Sequence, residues 1–95
     1  MPKVASFAVD GIDLWFNSND HLPPHFHAER PWEWEVRVFF LREVNEMTQL
    51  VYSKRPLRPR RSELKNLLQL AESFRVQLLE QWEAVVDVKA PGADR

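Results

Sequence analysis

The sequence predicts a small α+β domain: an antiparallel sheet of four to five strands followed by one long amphipathic C-terminal helix packed on one face. Three observations lead there. Apolar and polar residues alternate in several short runs between residues 12 and 41, turn-forming residues separate those runs, and from Leu64 onward the apolar period changes to that of a helix. With 95 residues, one hydrophobic core fits and a second domain does not. The expected unit is residues 1–95, with flexible tails at about 1–5 and 88–95.

The first run, Phe7 to Val9, is joined by Asp10-Gly11 to Ile12, Leu14 and Phe16. Asp-Gly suits a type I′ hairpin, so two short strands are expected, with Asp13 and Trp15 facing away from the apolar side. Asn17 to Pro24 is rich in turn formers and holds two consecutive prolines, which cannot donate to a ladder. A second strand follows from His25 to Glu29, with Phe26 and Ala28 on one side and His25, His27 and Glu29 on the other. Arg30-Pro31 breaks it, and Trp32 to Leu41 forms the strongest strand.

Register carries a functional consequence, because a one-residue slip exchanges the faces. If Phe26 and Ala28 share the core with Trp34 and Val36, the hairpin loop is odd-numbered. In the shortest such hairpin Phe26 faces Val36, Ala28 faces Trp34, His27 faces Glu35 and His25 faces Arg37. Both imidazoles then sit on the polar face, which stays partly open, beside a carboxylate.

Arg42 to Thr48 reads as a connection and Gln49 to Ser53 as a further short strand. The prolines of the next run, Lys-Arg-Pro-Leu-Arg-Pro-Arg-Arg, exclude a continuous helix. Ser62 is a candidate N-cap. Leu64, Leu67, Leu68, Ala71, Phe74, Leu78, Trp82 and Val85 then keep the three-four spacing of a helix with one buried face. Trp32, Trp34 and Trp82 are expected in the core.

Composition narrows the chemistry. There is no cysteine, so disulfides and thiolate metal sites are excluded, and a metal would need histidine, carboxylate or water ligands. The charged fraction of 28% and four tryptophans argue for a folded chain. No basic stretch followed by an apolar one opens the sequence, and no apolar run has membrane-spanning length. A cytoplasmic bacterial-type protein is the expectation, without membrane association. The net charge of −1 conceals a basic cluster, Lys54, Arg55, Arg58, Arg60 and Arg61, on an otherwise acidic chain.

All three histidines, His21, His25 and His27, fall within seven positions of Asn-Asp-His-Leu-Pro-Pro-His-Phe-His-Ala-Glu. Around them the chain resembles the bacterial family called domain of unknown function 4160. The matching residues are Phe16, Asn19-Asp20-His21, Pro23-Pro24-His25-Phe26-His27-Ala28 and, near the end, Leu78-Leu79-Glu80-Gln81-Trp82-Glu83. The likeness runs in the same order over nearly the whole chain. It implies a protein often encoded beside a second small protein, in a toxin-antitoxin-type gene pair. Many members carry a Trp and a His midway along the helix, where this chain has Leu70 and Phe74. That departure counts against any mechanism that needs a fourth, helix-borne histidine.

Three readings of the cluster stand side by side. In the leading one the protein binds or cleaves RNA without a metal. His25 and His27 act as general base and acid, Glu35 or Asp20 holds a tautomer, and Arg37 or the run Arg55, Arg58, Arg60 and Arg61 contacts phosphate. Trp15, on an outward position, stacks a base. In the second, His21, His25 and His27 bind a divalent metal such as zinc, nickel or manganese, or the same face docks a partner protein. In the third, His21 and His25 anchor the Pro-Pro loop to backbone groups while His27 pairs with Glu35. The basic run has its own alternatives: a solvated loop, a docking surface for an acidic partner, or an anion site at the helix start, where the macrodipole disfavours cations. Oligomeric state is not encoded in any of these patterns.

Overall fold

The computed structural model describes residues 2–51 and 57–86. Their architecture is a four-stranded antiparallel sheet in the order β1-β2-β3-β4, followed by two helices. The strands are β1, Asp13–Trp15; β2, Phe26–Arg30; β3, Trp34–Val38; and β4, Thr48–Leu50. A single 3-10 turn, Val44–Glu46, interrupts the connection before β4. Ser53, placed in the last strand by the sequence pattern, lies outside the described residues.

Two rows of paired residues cross the sheet and define its faces. Leu14, Ala28, Val36 and Leu50 form one, and Trp15, His27, Arg37 and Gln49 form the next. Residues of the first kind point into the core, where Phe26, Ala28, Trp34, Val36 and Val38 pack with Leu67, Leu68, Ala71, Leu78 and Trp82 of the helices. The alternation that placed Ile12, Leu14 and Phe16 on one face holds, since all three are buried.

The hairpin between β2 and β3 keeps the expected parity and shifts by two residues. Phe26 pairs with Val38, His27 with Arg37, Ala28 with Val36 and Glu29 with Glu35. The shift arises because Pro31, Trp32 and Glu33 all belong to the loop, closed by Glu33 N–H donating to Arg30 O at 2.9 Å. Trp32 takes the left-handed position at φ 70°. That geometry turns its side chain outward, so Trp32 is 85% exposed rather than in the core, whereas Trp34 and Trp82 are buried as expected.

The first hairpin is smaller than its sequence pattern. Phe7 to Val9 forms no strand, and only a bridge from Val9 to Ile12 spans Asp10-Gly11. Gly11 has φ +75° and Asp10 does not share the positive φ that a type I′ turn requires. The edge of β1 is instead covered by residues expected in a tail. Lys3 bridges to Trp15, Val4 N–H donates to Leu14 O at 3.0 Å, and Phe16 N–H donates to Pro2 O at 2.8 Å. Gln81 ties the same segment to the helical layer, accepting from Ala5 N–H at 2.8 Å and donating to Lys3 O at 2.6 Å. The tail expected at 88–95 lies outside the described residues.

The predicted single helix is two: α1, Arg61–Ser73, and α2, Arg75–Val85. The break falls at Phe74, whose φ of −108° and ψ of 23° leave the helical well. Its ring stacks on Phe7 at 5.6 Å, and the neighbouring Arg75 donates to Phe40 O and Arg42 O, both at 2.7 Å. Tertiary contacts thus bend a segment whose apolar spacing is uninterrupted. The helix also starts earlier than the Ser62 cap implied. Arg60 is the N-cap residue, and its N–H donates to the Glu63 carboxylate at 3.1 Å.

Candidate functional site: a buried carboxylate-histidine cluster

The second face of the sheet was expected to stay partly open and to carry the histidines; Arg37 and Gln49 are exposed on it, but the part that carries the histidines is covered. The turn-rich segment after β1 folds back over it, leaving His25 6% and His27 4% exposed. Asn17 N–H donates to Asp20 Oδ2 and Asp20 N–H donates to Asn17 O, each at 3.1 Å. This short turn delivers the Asp20 carboxylate onto the strand, an arrangement suited to an Asn and an Asp three residues apart.

Asp20, His25 and His27 each offer one ligand atom, and those atoms lie within 4.8 Å of one another. His27 Nε2 is 3.1 Å from both carboxylate oxygens of Asp20, and His25 Nε2 is 3.5 Å from Oδ1. The other nitrogen of His25, Nδ1, lies 2.9 Å from Pro23 O. A carbonyl only accepts, so Nδ1 carries the proton of the neutral ring and Nε2 presents a lone pair to the site. Burial is the main influence on His25 and holds its pKa below the ordinary histidine value; Pro23 O and Asp20 oppose it, while His27 and Arg37 add to it.

Trp15 closes the cluster from the β1 side. Its ring stacks on His27 at 5.3 Å and 16°, and its Nε1–H donates to Asn17 Oδ1 at 3.2 Å. That bond fixes the Asn17 amide, so its Nδ2–H points at His27 Nε2, 3.1 Å away. On the far side Phe39 packs against His25 at 5.0 Å between ring centroids, and the Arg42 guanidinium lies 4.2 Å over Phe39. A cavity of ≈ 260 Å³ opens from the cluster, with His21, Arg37 and Arg42 also on its wall.

The structure therefore brings together Asp20, His25, His27, Trp15 and Arg37, and leaves other candidates apart. His21 is exposed and shares the cavity wall, but the group whose potential ligand atoms converge is Asp20, His25 and His27 rather than the three histidines. Glu35 pairs with Glu29, two rows away from His27, because of the two-residue register shift. Arg55 lies outside the described residues. Arg58, Arg60 and Arg61 are exposed around the start of α1, where Glu63 bonds Arg30 on the core side of the sheet, opposite the histidines. Asn17 and Arg42 were not anticipated. The three-residue spacing from Asn17 to Asp20 could have marked the first, whereas Arg42 carries no signal in the sequence.

Among the described residues no helix is long and apolar enough to cross a membrane. What the fold and site define is a small α+β domain with a buried aspartate-dihistidine cluster on the sheet face away from its helices. The chain belongs to the family described as domain of unknown function (DUF4160), whose model matches residues 11–83. That span contains every member of the cluster. No curated protein and no solved structure matches the chain.

Proposed function

We propose that this domain binds a divalent transition-metal ion through Asp20 and the Nε2 atoms of His25 and His27. The observation that carries the reading is the convergence of an Asp20 carboxylate oxygen and one nitrogen each from His25 and His27 within 4.8 Å of one another. His25 Nε2 faces Asp20 Oδ1 as an acceptor facing an acceptor, since its proton is held at Nδ1 by Pro23 O. His27 Nε2 is contacted by a donor, Asn17 Nδ2–H, and by two carboxylate oxygens, so no single protonation state satisfies both. A metal ion would take the lone pairs of the two imidazoles and the carboxylate, displacing the Asn17 amide from the single lone pair of His27 Nε2. One carboxylate with two imidazoles suits zinc, nickel or manganese and leaves coordination positions for other ligands. The Pro23 bond to His25 is the kind of outer contact that orients a ligating imidazole.

The RNA-cleaving reading draws less support. Both rings would have to touch a phosphodiester, and their burial favours a small ligand over a polyanion. The arginines at the start of α1 lie on the opposite side of the sheet. Docking of a small cognate protein remains compatible with the metal reading and has no observation of its own.

The test is metal analysis of protein purified without an affinity tag, followed by titration with zinc, nickel and manganese. One equivalent should bind and be removed by chelator. At 100 times Kd it should stabilise the fold by about 2.7 kcal/mol. Asp20→Asn and His27→Gln should each abolish that gain. Folded parent protein that takes up none of the three metals would overturn the reading, and the cluster would then serve only to anchor the loop to β2.

A further inference from the structure

The wall of the cavity beyond the metal ligands is cationic. Arg37 occupies the register position opposite His27, and among the described residues its guanidinium makes one long hydrogen bond, Nη1–H donating to Gln49 Oε1 at 3.5 Å. Arg42 is held more firmly. Its guanidinium lies over the Phe39 ring, its backbone N–H donates to Phe39 O at 3.0 Å, and its backbone carbonyl accepts from Arg75. Among the described residues neither guanidinium is paired with a carboxylate.

Charge and shape then select a ligand. A divalent ion on Asp20 leaves the centre positive, and two guanidiniums without a carboxylate partner among the described residues add to that charge on the same wall. Such a site favours a dianion over a monoanion. Guanidinium forks match the oxygens of a phosphoryl group, and the ion's open positions can take a further oxygen. The cavity, at ≈ 260 Å³, admits a small molecule rather than a polymer.

We infer that the cavity beside Asp20, His25 and His27 binds the phosphoryl group of a small phosphate monoester, with one oxygen on the metal and others on Arg37 and Arg42. The inference rests on the metal reading above. It gives the two arginines a role that the ion alone does not require.

The experiment uses the full chain loaded with manganese, inorganic phosphate as the probe, and phosphorus NMR as the readout. Bound metal is counted separately by electron paramagnetic resonance. Phosphate should show saturable paramagnetic broadening. Arg37→Gln and Arg42→Gln should each weaken its affinity about tenfold while the manganese count stays at the parent level. Acetate, a monoanion, should fail to displace phosphate at equal concentration. Full manganese occupancy without saturable phosphate broadening would overturn this inference and leave the metal reading standing. So would arginine variants with parent affinity, or displacement by acetate. If manganese itself fails to bind, the metal reading and this inference fall together.

Discussion

His27 Nε2 sits 3.1 Å from both oxygens of Asp20, so one ring nitrogen on β2 and one carboxylate on the preceding loop share a single point in space. Asn17 governs that meeting from two directions. Its backbone N–H holds Asp20, and its side-chain amide, fixed by Trp15, reaches His27. Asn17→Ala keeps the backbone bond and removes the amide. In the proposed metal reading the ion takes the one lone pair of His27 Nε2, so the Asn17 amide must release that nitrogen, and Asn17→Ala, which has no such bond to break, should bind the metal at least as tightly as the parent. Competition against a chromophoric chelator measures this, and Trp15 emission should change because the indole loses its acceptor. A clear loss of affinity would mean that the Asn17 amide, held by Trp15, is needed to shape the loop that delivers Asp20.

The sheet was legible in the sequence because its signals are local. Alternation at Leu14, Ala28 and Val36 encodes which side chains enter the core, and the observed pairing preserves that parity. What escaped depends on contacts between distant residues. The hairpin register turned on whether Trp32 and Glu33 belong to strand or loop, and only the left-handed backbone at Trp32 decides it. The helix break at Phe74 follows from Phe7 and from Arg75 reaching Phe40 and Arg42, none of which alters the apolar spacing. The histidine cluster was visible as a count, but its carboxylate was not. Asp20 and Glu35 were equally eligible until the loop was seen to fold over the strand.

The N-terminal segment shows how a side chain can recruit apparent tail residues into a fold. Gln81 both accepts from Ala5 and donates to Lys3, bridging α2 to the strip that covers the edge of β1. Gln81→Ala should cost about 1 kcal/mol, reduced from the sum of two bonds by their exposure. Hydrogen exchange locates the effect. The amides of Val4, Ala5 and Phe16 should exchange faster, while those of β2 and β3 keep parent rates. Uniform acceleration across the sheet would show that the segment is part of the global folding unit instead.

Gly11 is required for two separable reasons. Its φ of +75° is costly for a residue with a Cβ, and a Cβ there would meet Arg30 Nη1 at 2.7 Å. Arg30 is the residue that ion-pairs with Glu63, at 2.6 Å. Gly11→Ala should therefore destabilise by about 1–2 kcal/mol, mainly through the backbone, since the end of an arginine side chain can move. A double-mutant cycle with Glu63→Gln divides the two effects. Additive losses assign the cost to the turn; a smaller combined loss shows that the new methyl group also pulls Arg30 from its partner.

Glu63 supplies a pH dependence whose sign follows from its surroundings. Burial alone would raise its pKa, but the Arg60 N–H and the Arg30 guanidinium outweigh burial and hold the carboxyl below its ordinary value of 4.5. A carboxyl with a lower pKa in the folded state stabilises the fold above the unfolded value. That contribution is lost as pH falls through the folded value. Glu63→Gln should accordingly be less stable than the parent at pH 7, by about 1–2 kcal/mol for a charge-assisted bond lost beside α1. The difference should persist down to about pH 5 and narrow below 4.5 as the parent's carboxyl takes up its proton. Urea titrations at a series of pH values measure it directly. A difference that stays constant into acid would assign the loss to the shape of the helix start rather than to the carboxylate charge.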